Sequence, residues 1–327
     1  MTVPEYVALY HSGELERRAR ALEARLASCD LCPRECGVDR LQDERGFCRS
    51  GRLPVAASVC NHRGEEPAIS GKRGSGAIFF GYCTLRCVYC QNHQLSQGRD
   101  LQSKEVGCHT LAERMLYLQE SLGCHNINLV SPSHFAPQIV RALVEAVPMG
   151  LRIPLVYNTS AYDSLSTLRL LEGVVDVYLP DLRYASDVWA RKFSQAVGYV
   201  GHARRAIQEM YRQVGDLEMD GAGLARRGLV VRLLVLPNRV AGCTESLTWL
   251  RRHLSRDVTV SIMSQYYPCH RAVRAPLLSR KITAAEYGEV LEALEELGLG
   301  NGWVQELDAA DSYLPDFERE GHPFEVG

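Results

Sequence analysis

Six short apolar runs alternate with helical stretches, and this alternation constrains the fold more than any other feature of the chain. The runs are Ala77–Phe80, Ile127–Val130, Pro154–Tyr157, Val174–Leu179, Leu229–Leu236 and Val258–Met263, with a further strand expected at Trp303–Leu307. Continuous apolar runs, as opposed to apolar/polar alternation, suit strands covered by helices on both faces, which is the habit of parallel sheets. The expectation is an α/β fold, a partial (β/α)6 barrel, and 327 residues, 46% of them hydrophobic, are enough for a large core. In such sheets ligands bind beyond the carboxyl ends of the strands, so the residues just after each run are the candidates for function.

Helix signals fall between the runs. Thr110 with Glu113 and Thr283 with Glu286 have capping-box spacing, Leu111, Met115, Leu118 and Leu122 share one face, and Pro137 suits the first turn of a helix. Upstream, Pro4 to Leu26 reads as one helix. The stretch from Cys29 to Ser75, rich in Gly, Pro, Arg and Cys, reads as irregular. The predicted division is therefore a helical and Cys-rich N-terminal extension over 1–75, followed by the partial barrel with a C-terminal extension over 76–327.

A net charge of −2 gives no footprint for nucleic acid, and that class of partner is not expected. No apolar run approaches the roughly 20 residues that span a bilayer, and the charged N-terminus does not read as a signal sequence, so the expected location is cytoplasmic, with no membrane partner. Twelve cysteines in such a chain point to metal or redox chemistry. Five of them, Cys60, Cys108, Cys124, Cys243 and Cys269, are scattered and read as small apolar residues.

The other seven form two groups. Cys83, Cys87 and Cys90 make a C-x3-C-x2-C loop directly after the first apolar run. Three thiolates in one short loop can wrap a cubane cluster, whose four irons ordinarily take four Cys, so one iron would lack a protein ligand and stay open for chemistry. A zinc site or reduced, buried thiols are the alternatives. Cys29, Cys32, Cys36 and Cys48 form the first group, spaced for zinc or for a second Fe–S cluster, and spacing alone does not choose. His134, just after the second run, is a candidate ligand contact or general acid or base, with a hydrogen-bonded structural role as the alternative.

The loop and its placement resemble the radical S-adenosylmethionine (SAM) superfamily. Cys32-Pro-Arg-Glu-Cys36-Gly-Val-Asp-Arg40, Cys87-Val-Tyr-Cys90-Gln-Asn, Tyr178-Leu-Pro-Asp181-Leu-Arg183-Tyr and Met263-Ser-Gln265-Tyr extend the likeness, from Cys29 to about Phe317, to the pyruvate formate-lyase activase-related subgroup. The resemblance implies a [4Fe–4S] cluster on Cys83, Cys87 and Cys90, SAM on its open iron, and a reductant such as flavodoxin or ferredoxin. It places the Ser131-Pro-Ser133-His134 turn at the SAM amino group, and Asn158 and Thr159 at the ribose or methionine. Asp181 and Arg183 stand where Arg183 can pair with the SAM carboxylate, and Met263 and Gln265 close over adenosine. Tyr89 matches the usual aromatic before the last Cys.

Two residues depart from the subgroup, Leu233 and Ala161, and both are expected to reshape the substrate side of the cavity. The activity implied is reductive cleavage of SAM to a 5′-deoxyadenosyl radical that takes hydrogen from a small-molecule substrate. The narrower likeness is to the cytosylglucuronate decarboxylase type of antibiotic biosynthesis, a lyase acting on a sugar or nucleoside uronic acid. The alternative is an activase that installs a glycyl radical on a partner enzyme. Arg232 is a candidate partner for a substrate carboxylate, though an outward position on its strand is the simpler expectation, and alternation requires Arg232 and Leu234 to point the same way.

Overall fold

The computed structural model describes residues 3–98, 101–307, 315–319 and 322–324. Its strands are β1 (Ala56–His62), β2 (Ser75–Phe80), β3 (Ile127–Val130), β4 (Leu155–Thr159), β5 (Val177–Pro180), β6 (Glu218–Met219), β7 (Ala225–Leu234), β8 (Thr259–Met263) and β9 (Gly302–Val304). They form one nine-stranded sheet in the order β1-β2-β3-β4-β5-β7-β8-β9, with β6 paired to β7. From β2 to β9 every neighbour on this path is parallel, while β1 on β2 and β6 on β7 are antiparallel. The molecule is thus a mixed α/β fold around a mostly parallel sheet. All six apolar runs became its parallel strands, and the seventh expected strand is β9.

Burial explains why the runs were continuous. Every residue of β2, β3, β4, β5 and β8 is buried, so neither face of these strands tolerates a run of solvated side chains. On the outer side, the helix Cys108–Glu120 buries Leu111, Met115 and Leu118 and packs beside the helix Ala136–Ala146, in whose first turn Pro137 sits. At β9 the contact with β8 is tight: a Cβ on Gly302 would lie 1.8 Å from the Val260 carbonyl oxygen, so only glycine starts that strand.

Three expectations need correction. The N-terminal segment is two helices, Glu5–His11 and Glu14–Ala24, because Gly13 adopts φ 77 and breaks the rod. Thr110 is no cap, since its helix begins two residues earlier at Cys108, whereas Thr283 and Glu286 do form a capping box. The stretch from Cys29 to Ser75 is not wholly irregular either. It contributes β1, which pairs along β2 from Ala56 to His62. Among the described residues no helix is long and apolar enough to cross a membrane.

Candidate active site

The carboxyl ends of the parallel strands open into a cavity of about 380 Å3. Each parallel strand contributes to its wall: Phe79 from β2, Val130 from β3, Asn158 and Thr159 from β4, Asp181 after β5, Arg232 and Leu234 from β7, Met263 from β8 and Trp303 from β9. A smaller space of about 60 Å3 adjoins it, lined by Cys83, Cys87 and Cys90 and sharing Cys90, Ser131 and Arg183 with the larger cavity.

The cysteine loop follows β2, whose last residues aim it across the strand ends. Each sulfur meets a hydrogen-bonding group. The Leu85 N–H donates to Cys83 Sγ at 3.4 Å, the Ser194 hydroxyl donates to Cys87 Sγ at 3.0 Å, and Cys90 Sγ lies 3.1 Å from Ser96 Oγ. Burial, then the neighbouring Cys87, raises the Cys83 thiol above its ordinary value and pushes Cys90 up to about 12. Neutral thiols are the stable form there until a cation joins them. Among the described residues no three His, Cys, Asp or Glu side chains stand as a finished metal site. Even so, three thiols on one loop, opening on one space and met by hydrogen-bond donors that would steady cluster sulfurs, fit a cuboidal iron–sulfur group with one open iron.

Arg183 stands beside these thiols. Its Nη2 donates to Asp181 Oδ2 at 2.6 Å, while its buried Nε has no hydrogen-bond partner. Burial works against its charge, but Asp181, then Cys87 and Tyr89, outweigh burial and hold its pKa well above the usual arginine value. A charged guanidinium with a spare buried donor, lining both cavities, is a receptor for an anion. Tyr89 packs edge-on against Tyr184 and Tyr266, and the Tyr199 hydroxyl donates to the Asp181 carbonyl at 2.9 Å, which fixes the Asp181–Arg183 turn in place.

Of the other expected residues, Ser131, Asn158, Thr159, Asp181, Met263 and Gln265 line the larger cavity. Ser133 and His134 stand outside its lining. Ser133 Oγ lies 3.2 Å from Thr159 Oγ1, whose hydroxyl donates to Asp163 Oδ2 at 2.6 Å, so it supports the cavity wall from behind. His134 is 2% exposed, with Nε2 2.9 Å from the Gly81 carbonyl oxygen and its own carbonyl accepting from Arg40 Nη1 at 2.6 Å. Burial above all pushes its imidazole down to about 3. It is a neutral structural residue, and the acid–base role expected from its place after the strand is not carried by this geometry.

Leu233 and Ala161 also lie outside both linings, each fully buried, and the expectation that they reshape the cavity is corrected accordingly. Leu233 points to the opposite face of β7 from Arg232, and Ala161 holds φ 58, a left-handed conformation that suits glycine. Arg232 itself points inward with Leu234, not outward. Its Nε donates to Asp181 Oδ1 at 2.7 Å, its Nη1 to Glu65 Oε2 at 3.0 Å and its Nη2 to Asn158 Oδ1 at 2.6 Å.

The residues that sequence reasoning missed come from the loop after β1. Glu65 and Glu66 both line the cavity, and Glu65 also accepts from Asn128 Nδ2 at 2.9 Å. The signal was faint, because β1 itself was hidden in a Gly- and Arg-rich stretch.

In the first cysteine group, Cys29, Cys32 and Cys48 are buried and Cys36 is exposed. Burial raises the Cys32 thiol, and Cys48, Cys29 and Cys36 are near enough to raise it further. The two cysteine loops interlock. Arg34 Nε donates to the Thr84 carbonyl at 2.7 Å, Arg86 Nη2 donates to the Phe47 carbonyl at 2.7 Å, and both guanidinium carbons lie over the Phe47 ring, at 3.3 and 5.1 Å from its centroid.

No family model matches the sequence. An uncharacterized protein of Methanocaldococcus jannaschii is 28% identical over 276 residues, covering 83% of this chain and 75% of that protein. The crystal structure of Streptococcus suis SuiB bound to precursor peptide SuiA is similar at TM-score 0.47 and 12% identity, over 74% of this chain and 51% of that one. This chain therefore spans about half the length of SuiB.

Proposed function

We propose that the chain is a radical SAM enzyme acting on a small molecule held at the carboxyl ends of a partial (β/α)6 barrel. The observation that carries this reading is the meeting, at one cavity, of three thiols from a C-x3-C-x2-C loop with a buried arginine that keeps a spare donor. That every parallel strand supplies a wall residue supports a sheet curved around the ligand. When bound, the cluster supplies the electron that cleaves SAM into methionine and a 5′-deoxyadenosyl radical.

The chain's own residues bind, orient and exclude. Cys83, Cys87 and Cys90 would hold the cluster. Arg183, steadied by Asp181, pairs with the SAM carboxylate through a charge-assisted bond, and Ser131, Asn158 and Thr159 offer hydroxyls and an amide to the rest of the molecule. Tyr89, Tyr184 and Tyr266 pack densely beside the cysteine loop and keep water from it. Met263 and Gln265 close the far side. Cys29, Cys32, Cys36 and Cys48 are the candidate second metal group, zinc or Fe–S, on the N-terminal extension over 1–75.

Decarboxylation of a sugar or nucleoside uronic acid is the narrower form of this reading, but it needs a free cation for the substrate carboxylate. Arg232 does not provide one, since all three of its nitrogens are engaged within the protein. The experiment is anaerobic reconstitution with iron and sulfide, then incubation with SAM, a reductant and deuterated small molecules, following 5′-deoxyadenosine and its deuterium content by mass spectrometry. Deuterium transfer from a small molecule is the expected result. A glycyl radical on a co-purified protein, with no small-molecule turnover, would decide for the activase.

A further inference from the structure

The cavity has a second polar end that the cysteine loop and Arg183 do not explain. Glu65 and Glu66, from the loop after β1, enter the cavity that Asp181, Arg183 and Arg232 also line, setting three carboxyl groups against two guanidiniums. The pairing leaves one acid over. Arg183 and Arg232 both bond Asp181, Arg232 also bonds Glu65, and neither guanidinium donates to Glu66. His62, the remaining titratable neighbour with a ring nitrogen, is pushed down to about 4, by burial first, and adds no positive charge near neutral pH.

Glu66 is 8% exposed, and its Oε2 has no hydrogen-bond partner although it is buried. A second unpartnered acceptor lies next to Glu65, outside the cavity lining. Asn128 is fully buried and gives its Nδ2 to Glu65, leaving Oδ1 without a donor. The unpartnered oxygen of Glu66, which lines the cavity, is where a ligand's donor hydrogen would be received, because a buried polar atom is costly while it stays unpaired. The aromatic lining agrees. Trp303 pairs in register with Ser261, whose hydroxyl serves the Glu66 carboxyl, and Trp303 and Glu66 both line the cavity. A carboxyl group and an indole on one cavity wall suit a cation, and once Glu66 is ionised a carboxylated ligand would meet repulsion there.

We propose that the substrate of this site carries a protonated amine, received by Glu66 with Glu65 and Trp303 as neighbours, in place of the carboxylate expected from the sequence. Burial raises the pKa of Glu66 despite the opposing pull of Arg232, and pairing with a ligand ammonium would favour its ionised form. This inference rests on the radical SAM reading only for the assignment of the cavity as the substrate site.

The test is a binding measurement on the reconstituted protein with SAM present, by titration calorimetry and by tryptophan fluorescence. The probes are putrescine and ethanolamine, with succinate and glycolate as their carboxylate counterparts. At least one amine is expected to bind ten times more tightly than its counterpart, to change the emission of wild type but not of Trp303→Phe, and to lose at least tenfold in affinity in Glu66→Gln. Glu66→Asp should recover part of that loss, which separates charge pairing from a folding defect. Amines that do not bind, carboxylates that bind equally well, or a Glu66→Gln variant of unchanged affinity would overturn the inference. An amine preference lost in Glu66→Gln, in a protein that never forms 5′-deoxyadenosine, would uphold it and fault the radical reading instead.

Discussion

At the scale of single residues, Arg183 and His134 show how burial decides what a side chain can do. Arg183 keeps its charge because Asp181 lies 2.6 Å away, and it keeps an unused donor because nothing in the protein reaches Nε. Arg183→Ala is expected to weaken SAM binding by on the order of 1.5–3 kcal/mol, the worth of a charge-assisted bond, with partial recovery in Arg183→Lys, both measured by calorimetry on the reconstituted protein. Wild-type affinity in Arg183→Ala would leave Arg183 only its ion pair with Asp181. His134 has the opposite fate. Its folded pKa, about 3, is below that of an unfolded histidine near 6.5, so only the unfolded chain takes up this proton as pH falls through 6.5. The stability linked to it is complete above pH 6.5 and is lost progressively toward pH 3. Between pH 7.5 and 5.0 wild type should lose on the order of 2 kcal/mol more stability than His134→Gln, read from urea midpoints. Equal losses would mean that His134 is solvated.

Position within an element decided which residues were legible. Alternation along β7 fixed that Arg232 and Leu234 share a face, but which face was open until Asp181, Glu65 and Asn158 were seen converging on the guanidinium. The apolar run Ile127–Val130 became β3 without change, because a strand buried on both faces leaves a continuous apolar signal. In contrast β1, with residues only partly buried between Ala56 and His62, lies at the sheet edge, and its mixed composition did not read as a strand. Missing β1 meant missing Glu65 and Glu66 in the loop it feeds. Helix starts were legible where the local chemistry was real, as at Pro137 in the first turn of Ala136–Ala146 and at the Thr283 cap. Thr283 accepts from the Glu286 N–H at 3.2 Å, and the Glu286 carboxylate accepts from the Thr283 N–H at 2.9 Å. Thr283→Ala should cost about 1 kcal/mol by urea denaturation, while Thr110→Ala, inside a helix, should cost no more than about half as much.

At the scale of the whole molecule, the cysteine loops couple the N-terminal segment to the sheet. Arg34 and Arg86 each reach from one cysteine loop to a carbonyl of the other, with Phe47 between them. Arg34→Ala and Arg86→Ala are expected to be non-additive in a double-mutant cycle, by at least about 0.5 kcal/mol, because each leaves the other's loop less ordered. Additive losses would make the two contacts independent. The central claim, that Cys83, Cys87 and Cys90 carry a cluster that cleaves SAM, is tested most directly by 5′-deoxyadenosine formation in anaerobically reconstituted wild type and in the Cys83→Ala/Cys87→Ala/Cys90→Ala variant, each assayed with SAM and a reductant after iron and sulfide analysis. The expected result is product from wild type and none from a folded variant that has lost the iron and sulfide of that cluster. Equal product from both proteins, or none from an iron-loaded wild type, would contradict it.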